Sequence, residues 1–277
     1  MRNEKLFVTL WAIMDYTLNV HGLLMDLREP QVMGILNVTP DSFYAGSRKQ
    51  TEAEIVERCH QIVDEGGTII DVGACSTRPG AEMASETEEM ERLRFALAVV
   101  RRELPSSVVS VDTFRPDVAR MTVEEFGADI INDVSEGNPE MFRMVARLGV
   151  PYILMSVQPT MRETLLAFAQ KVQQLRDFGA KDIILDSGFG FGKTLEQNYQ
   201  MMNVLEQLQV MELPVLVGVS RKSMIYKKFG CTPTESLNGT TALNTIALMK
   251  GADILRVHDV REAVECVKIV DSLKIRV

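Results

Sequence analysis

The sequence predicts an α/β fold, a (β/α)8 barrel (TIM barrel) preceded by a β-hairpin, and three observations carry that reading. Short apolar runs, too brief for helices and bounded by turn residues, recur along the chain as strands buried on both faces do. Roughly eight of them alternate with amphipathic helical patterns, which is the count the barrel needs. Each run ends on polar residues, and in that fold the loops after the strands build the active site. The chain has 277 residues, matching one barrel of about 250 better than two ordinary domains. No low-complexity linker, charge block or composition shift marks a boundary. Residues 16–277 therefore read as one domain, and residues 1–15 as an appendage.

The elements follow in order. YTLNVHGLLMD (16–26) alternates around His21-Gly22 and predicts a hairpin placed to plug the bottom of the barrel. The first barrel strand, Met33–Leu36, ends on Asn37 and enters a polar loop containing Pro40, Asp41 and Gly46. In the helix TEAEIVERCHQIVDEG, Thr51 is the expected N-cap with Glu54 completing a capping box, and Gly66-Gly67 is the stop. Ile69–Ile70 leads to Asp71 and then to Thr77 and Arg78. The next helix carries acids early and Arg101 and Arg102 late, as its dipole favours. VVSVDTF ends on Asp112, ADIINDVSEG on Asn132 and Asp133, and YILMS on Met155 and Ser156. DIILDSGFGFGKT ends on Asp186, PVLVGVSRKS on Ser220 to Ser223, and ADILRVHDV on Arg256 and His258. Helical patterns such as NPEMFRMVARLG, EQNYQMMNVLEQLQ and DVREAVECVKIVDSLK separate them.

Composition narrows the function. A net charge of −8 argues against a nucleic-acid binder, which carries a basic stripe. No apolar run approaches the roughly 18 residues of a membrane span, and MRNEKLFVTLWAIM is followed by Asp15 and Tyr16 where a signal peptide needs small residues. Cys59, Cys75, Cys231 and Cys266 are widely spaced with no CxxC pair, and three histidines are too few for a zinc site. The cysteines read as free thiols in a reducing cytoplasm.

The strand ends carry the chemistry. Asn37 offers an amide oxygen to a hydroxyl or to a hard cation such as Mg²⁺, or else closes an Asx turn. Asp112, Asn132 and Asp186 end the third, fourth and sixth strands, and carboxylates facing into a barrel mouth are costly without partners. A ligand with an N–C–N edge, such as the 2-amino-4-oxo end of a pterin or guanine, meets a carboxylate bidentately. GFGFGKT is not a P-loop, because Ser187 stands where the first Gly is required. Its alternating glycines suit backbone close to a planar ligand, with Phe189 or Phe191 on that ligand's face. STRPG and SRKS set hydroxyls beside cations, and Arg256 and His258 alternate along a strand end and so point to one side. Such a cluster of cations suits a multiply charged oxyanion such as pyrophosphate.

Taken together, MGILNVTPDSF, STRPGA, VDTF, INDVSEG, DSGFGFGKT, GVSRKSM and ALMKGADILRVHDV resemble dihydropteroate synthase, the folate-pathway enzyme family that sulfonamides inhibit, over residues 16–275. The resemblance implies a cytoplasmic, homodimeric TIM-barrel transferase. It would join 6-hydroxymethyl-7,8-dihydropterin pyrophosphate to para-aminobenzoate, with Mg²⁺. By motif position, Asp112, Asn132, Asp186 and Lys222 would hold the pterin edge, with Met155 and Phe191 on its faces. Asn37, Arg256 and His258 would hold pyrophosphate and Mg²⁺, with the loop bearing Thr77 and Arg78. Ser223 would receive the aminobenzoate carboxylate, near Phe43 and Pro79. The implied catalytic set is Asn37, Lys222, Arg256 and His258. The chain departs from the family pattern at three places: Cys75 replaces a Glu, Ser187 replaces the Pro of DPG, and Met155-Ser156-Val157 replaces MHM. A pterin-binding methyltransferase on the same barrel would share the carboxylates but not need STRPG and SRKS. A pseudoenzyme that binds pterin is the non-enzymatic reading.

Overall fold

A computed structural model of the chain describes residues 16–38, 48–75 and 83–273. Strands β1 (Thr17–Val20) and β2 (Leu23–Asp26) form an antiparallel hairpin with Val20 opposite Leu23. Its two-residue turn requires positive φ at both positions; His21 adopts 49° and Gly22 82°. Asn19 Oδ1 secures the turn by accepting from the Gly22 N–H at 2.8 Å.

Eight parallel strands then close into a barrel, the last pairing with the first. They are β3 (Gln31–Asn37), β4 (Ile69–Gly73), β5 (Val108–Asp112) and β6 (Ile130–Asp133), followed by β7 (Tyr152–Met155), β8 (Ile183–Asp186), β9 (Val215–Val217) and β10 (Ile254–Val257). Outside them run α1 (Arg48–Asp64), α2 (Glu86–Glu103), α3 (Pro116–Phe126), α4 (Pro139–Leu148) and α5 (Met161–Asp177). The set continues with α6 (Leu195–Asn203), α7 (Ser223–Phe229), α8 (Leu237–Met249) and α9 (Val260–Leu273). In α2 the capping box is complete, with the Glu88 carboxylate accepting from the Ser85 N–H at 2.8 Å. Two helical expectations shift. Helix α1 begins at Arg48, so Thr51 lies inside it and does not cap it. The pattern from Glu196 to Gln209 breaks after Asn203 into a 3-10 segment, Leu205–Met211. Its buried residues, Leu205 and Leu208, have the three-residue spacing of that tighter helix.

Inside the barrel, side chains two residues apart stack in layers. The lower layer, Met33, Ile69, Ile130, Ile153, Ile184, Leu216 and Ile254, is buried together with Leu18, Val20 and Leu27 of the hairpin region. The hairpin therefore plugs the N-terminal end through β1, which alternates as expected, whereas in β2 Leu23 and Leu24 are both exposed. His21 pairs with Asp129 there, and Asp129 also accepts from Arg101 at 2.8 Å and from the Val109 N–H at 2.7 Å. Two residues further along, the strands change character: Ile69 gives way to Asp71, Ile130 to Asn132, Ile184 to Asp186 and Ile254 to Arg256. A dry base thus supports a polar mouth.

Candidate active site

The mouth is organised by one cation. Arg256, rising from β10, donates from Nε to Asp71 Oδ2 at 2.6 Å and from Nη2 to Asp112 Oδ2 at 2.9 Å. Asn132 Nδ2 reaches the same Asp71 oxygen at 3.3 Å. The guanidinium ties β4, β5 and β10 together, and Asn132 adds β6. Burial pushes the Asp112 carboxyl up to about 7, Arg256 opposing and Asp71 reinforcing. Asp71 Oδ1, Ser110 Oγ and Asn132 Oδ1 are buried with no hydrogen-bond partner among the described residues. Unmatched acceptors in a buried site are costly unless a ligand or water supplies donors.

Asp186 stands across the mouth at the end of β8, 5% exposed, with Oδ1 accepting from the Gly188 N–H at 2.8 Å. Burial raises its pKa, and Lys222 opposes that rise. Lys222 caps α7 and sends Nζ back across the mouth to the Phe189 carbonyl at 2.5 Å. The same ammonium lies 4.6 Å from the centre of the Phe191 ring, and burial lowers its pKa to about 8. Phe189 is fully buried, so of the two phenylalanines it is Phe191 that flanks the mouth. Met155 is fully buried at the end of β7, beside Gly188. A Cβ on Gly188 would collide with the Ser156 carbonyl, and this φ of 64° is where the loop needs glycine.

Asn37 ends β3 exposed. A Cβ placed on Gly73 would meet Asp112 Cβ at 3.5 Å and Asn37 Oδ1 at 3.6 Å, so the amide oxygen and Asp112 flank that glycine. His258 lies beyond Arg256. Ser220 Oγ accepts from the His258 backbone N–H at 3.1 Å and sits 3.2 Å from Nδ1. The hydroxyl hydrogen can then point to Nδ1, which leaves the ring proton on Nε2. Burial, with Arg256 and Arg221 adding to it, lowers the pKa to about 4, so His258 is a neutral donor rather than a cation.

Not every cation in the motifs is free for an anion. Arg221 forms a fork to Asp259, with Nε at 2.9 Å from Oδ2, and so braces the loop. Ser223 opens α7, partly exposed, and its hydroxyl has no partner among the described residues. Thr77, Arg78, Phe43 and Pro79 lie outside the described residues. The residue that sequence reasoning left unassigned is Asp71. Its signal was the strand period, since it sits two positions after the inward-facing Ile69, in register with Ser110 of β5.

The comparisons with known proteins agree with this geometry. A family described as pterin binding enzyme matches residues 33–258. Among curated proteins, the Escherichia coli K12 dihydropteroate synthase is 40% identical over 267 residues, covering 91% of this chain and 94% of that protein. Among solved structures, a Xanthomonas albilineans dihydropteroate synthase with 4-aminobenzoic acid superposes with a TM-score of 0.86 at 34% identity, covering 94% of this chain and 99% of the other. A Yersinia pestis dihydropteroate synthase in complex with a sulfonamide drug reaches 0.85 at 37% identity, covering 94% and 99%.

Proposed function

The chain belongs to the dihydropteroate synthase family of pterin-binding enzymes and is a transferase, and from that premise we propose how its barrel mouth divides the work. The reaction joins 6-hydroxymethyl-7,8-dihydropterin pyrophosphate to para-aminobenzoate, giving 7,8-dihydropteroate and pyrophosphate. The observation that carries the assignment is the set of buried acceptors in the mouth: Asp71 Oδ1 and Asn132 Oδ1 have no partner among the described residues, and Asp186 is buried, with the partly exposed Asp112 beside them. A pterin edge supplies the missing N–H groups, and a carboxylate meets its N–C–N face bidentately. Asp186 takes that face, with Asp112 and Asn132 along the rest of the edge. Lys222 supplies a donor to the ring system, and Phe191 and Met155 pack on its faces.

The same residues serve the chemistry. As pyrophosphate departs, positive charge develops on the pterin methylene, and the anionic mouth favours that charge. Arg256 Nη1, which has no partner among the described residues, and the neutral His258 donor meet the departing oxygens. The aniline nitrogen then attacks the methylene carbon, so no protein nucleophile is required. The side chain of Asn37 fits a role toward Mg²⁺, because an exposed amide oxygen beside a carboxylate suits an ion that arrives with a diphosphate and keeps several waters. Bound there, Mg²⁺ would neutralise diphosphate charge. We place the protein in the cytoplasm as a homodimer through its barrel helices, three of which, α7, α8 and α9, expose large apolar side chains at Phe229, Ile246, Met249, Ile269 and Leu273.

Full-rate pyrophosphate release is expected to need both substrates and Mg²⁺, measured in a coupled assay, with slow but detectable release from the pterin substrate alone because departure can precede attack. No release with both substrates and Mg²⁺ would overturn the reading, and full release under chelation would remove the role of Asn37. Ser223→Ala separates the two substrates. It removes one hydrogen bond to a carboxylate, so the KM for aminobenzoate should rise about ten-fold or more, with the KM for the pterin substrate little changed. Kinetics with each substrate varied read this directly. Weakened pterin binding alone would assign the SRKS loop wholly to the pterin seat.

A further inference from the structure

A single peptide group beside the mouth is bracketed by opposite charges. The Ser156 carbonyl accepts from Lys193 Nζ at 3.0 Å, while the Val157 N–H, the other half of the same peptide unit, donates to Glu136 Oε1 at 3.1 Å. Neither charge belongs to the loop it holds. Glu136 follows β6 and Lys193 follows β8, so the clamp spans three successive loops at the C-terminal end of the barrel. Gln158 Nε2 adds a bond to the same carboxylate oxygen at 3.2 Å, and Lys171 Nζ of α5 stands 3.7 Å from it. Glu136 achieves this from a φ of 72°, a conformation unfavourable for a side chain of its kind.

Lys193 reaches further. Its ammonium also contacts the Gly188 carbonyl at 3.1 Å and the Phe191 carbonyl at 3.4 Å. It therefore fastens the loop carrying Phe191 to the loop after Met155. Burial lowers its pKa to about 8, while Asp186 and Glu136 favour its charged form. The Ser156 N–H donates to the Asp186 carbonyl at 2.9 Å, so the clamped segment is joined to the strand that bears the pterin carboxylate.

We infer that Glu136 and Lys193 are positioning residues that lock the Ser156–Val157 peptide and thereby set the wall of the pterin seat formed by Met155 and Phe191. This rests on the pterin reading above. Charge-assisted hydrogen bonds on both ends of one peptide hold its orientation more firmly than neutral partners do. The clamp acts on pterin geometry and leaves the aminobenzoate carboxylate seat on α7 untouched.

Four variants test it: Glu136→Ala, Glu136→Gln, Lys193→Met and the double Glu136→Ala/Lys193→Met. Kinetics are measured with each substrate varied, and amide hydrogen exchange at Val157 is measured on the protein without substrates. Glu136→Ala and Lys193→Met should each raise the pterin KM about ten-fold or more, leave the aminobenzoate KM little changed, and speed Val157 exchange. Glu136→Gln keeps an acceptor oxygen and should restore most of the lost affinity. The double variant should lose less than the product of the single effects, as coupled partners do. Equal weakening of both substrates, or faster exchange with an unchanged pterin KM, would overturn the positioning role. A wild-type protein that fails to turn over would sink the functional reading instead. In that case unchanged Val157 exchange in Glu136→Ala would still overturn the clamp by itself.

Discussion

Asp186→Asn should lower pterin affinity on the order of 10³-fold or more, because the substitution preserves shape and inverts half of a donor–acceptor match. Asp186 Oδ1 already accepts from the Gly188 N–H, and the group is almost fully buried. An amide has one acceptor oxygen and one donor NH₂. If the oxygen stays on Gly188, the NH₂ faces the pterin's own donors; if the amide flips, NH₂ confronts the Gly188 N–H. Both orientations leave buried polar groups unmatched. Lys222 also loses the anionic neighbour that supports its charged form, so its pKa falls below the present value of about 8. Less of it then carries charge at neutral pH. Titration calorimetry with the pterin pyrophosphate reads the loss, and near wild-type affinity would make Asp186 a structural residue.

Much of the candidate site is legible in the strand ends. Asp112, Asn132, Asp186 and Arg256 all close short apolar runs, and the strand period sends Asn132, Asp186 and Arg256 inward above isoleucines and Asp112 above Ser110. The hairpin was legible for the same reason, since alternation around His21-Gly22 leaves one face to bury, and Leu18 and Val20 bury it. What escaped was pairing across the barrel. Arg221 looked like an anion donor because its carboxylate partner, Asp259, lies 38 positions away on another strand's loop. His258 looked cationic because its burial, and the arginines around it, depend on closure of the barrel. Asp71 was visible as a strand-end residue, but its role as the anchor of Arg256 spans 185 positions. Lys193 shows the same limit. GFGFGKT reads locally as a loop near a ligand, and only the fold reveals that its lysine grips a carbonyl of the neighbouring loop as well as one of its own.

Arg256→Met should be the most destabilising change in the mouth, and its cost should depend on pH. The guanidinium is largely buried and neutralises two carboxylates that have little access to water, with side-chain exposures of 0% for Asp71 and 14% for Asp112. Removing one partner from a buried charge network costs about 3–5 kcal/mol, or roughly 6–20 °C in Tm for a domain of this size. The sign of the pH dependence follows from Asp112. Burial raises its folded pKa from 3.8 to about 7, so between those values the folded state binds the proton more tightly than the unfolded chain. Stability from this group is therefore fully present at low pH and is lost as pH rises through that window. Arg256 limits the loss by favouring the carboxylate. Without it the folded pKa climbs further, and the loss continues above pH 7. The gap between wild type and Arg256→Met should be widest at pH 8, where the wild-type carboxylate is ionised and paired. It should narrow at pH 5, where Asp112 is protonated in both proteins. Calorimetric melting at the two pH values decides it, and an equal gap at both would mean that Arg256 contributes through Asp71 and the packing of its stem rather than through Asp112. Kinetics on the same variant at pH 8 should show a lower kcat and weaker pterin pyrophosphate binding with aminobenzoate little affected, because the charge lost is the one proposed to meet the departing group.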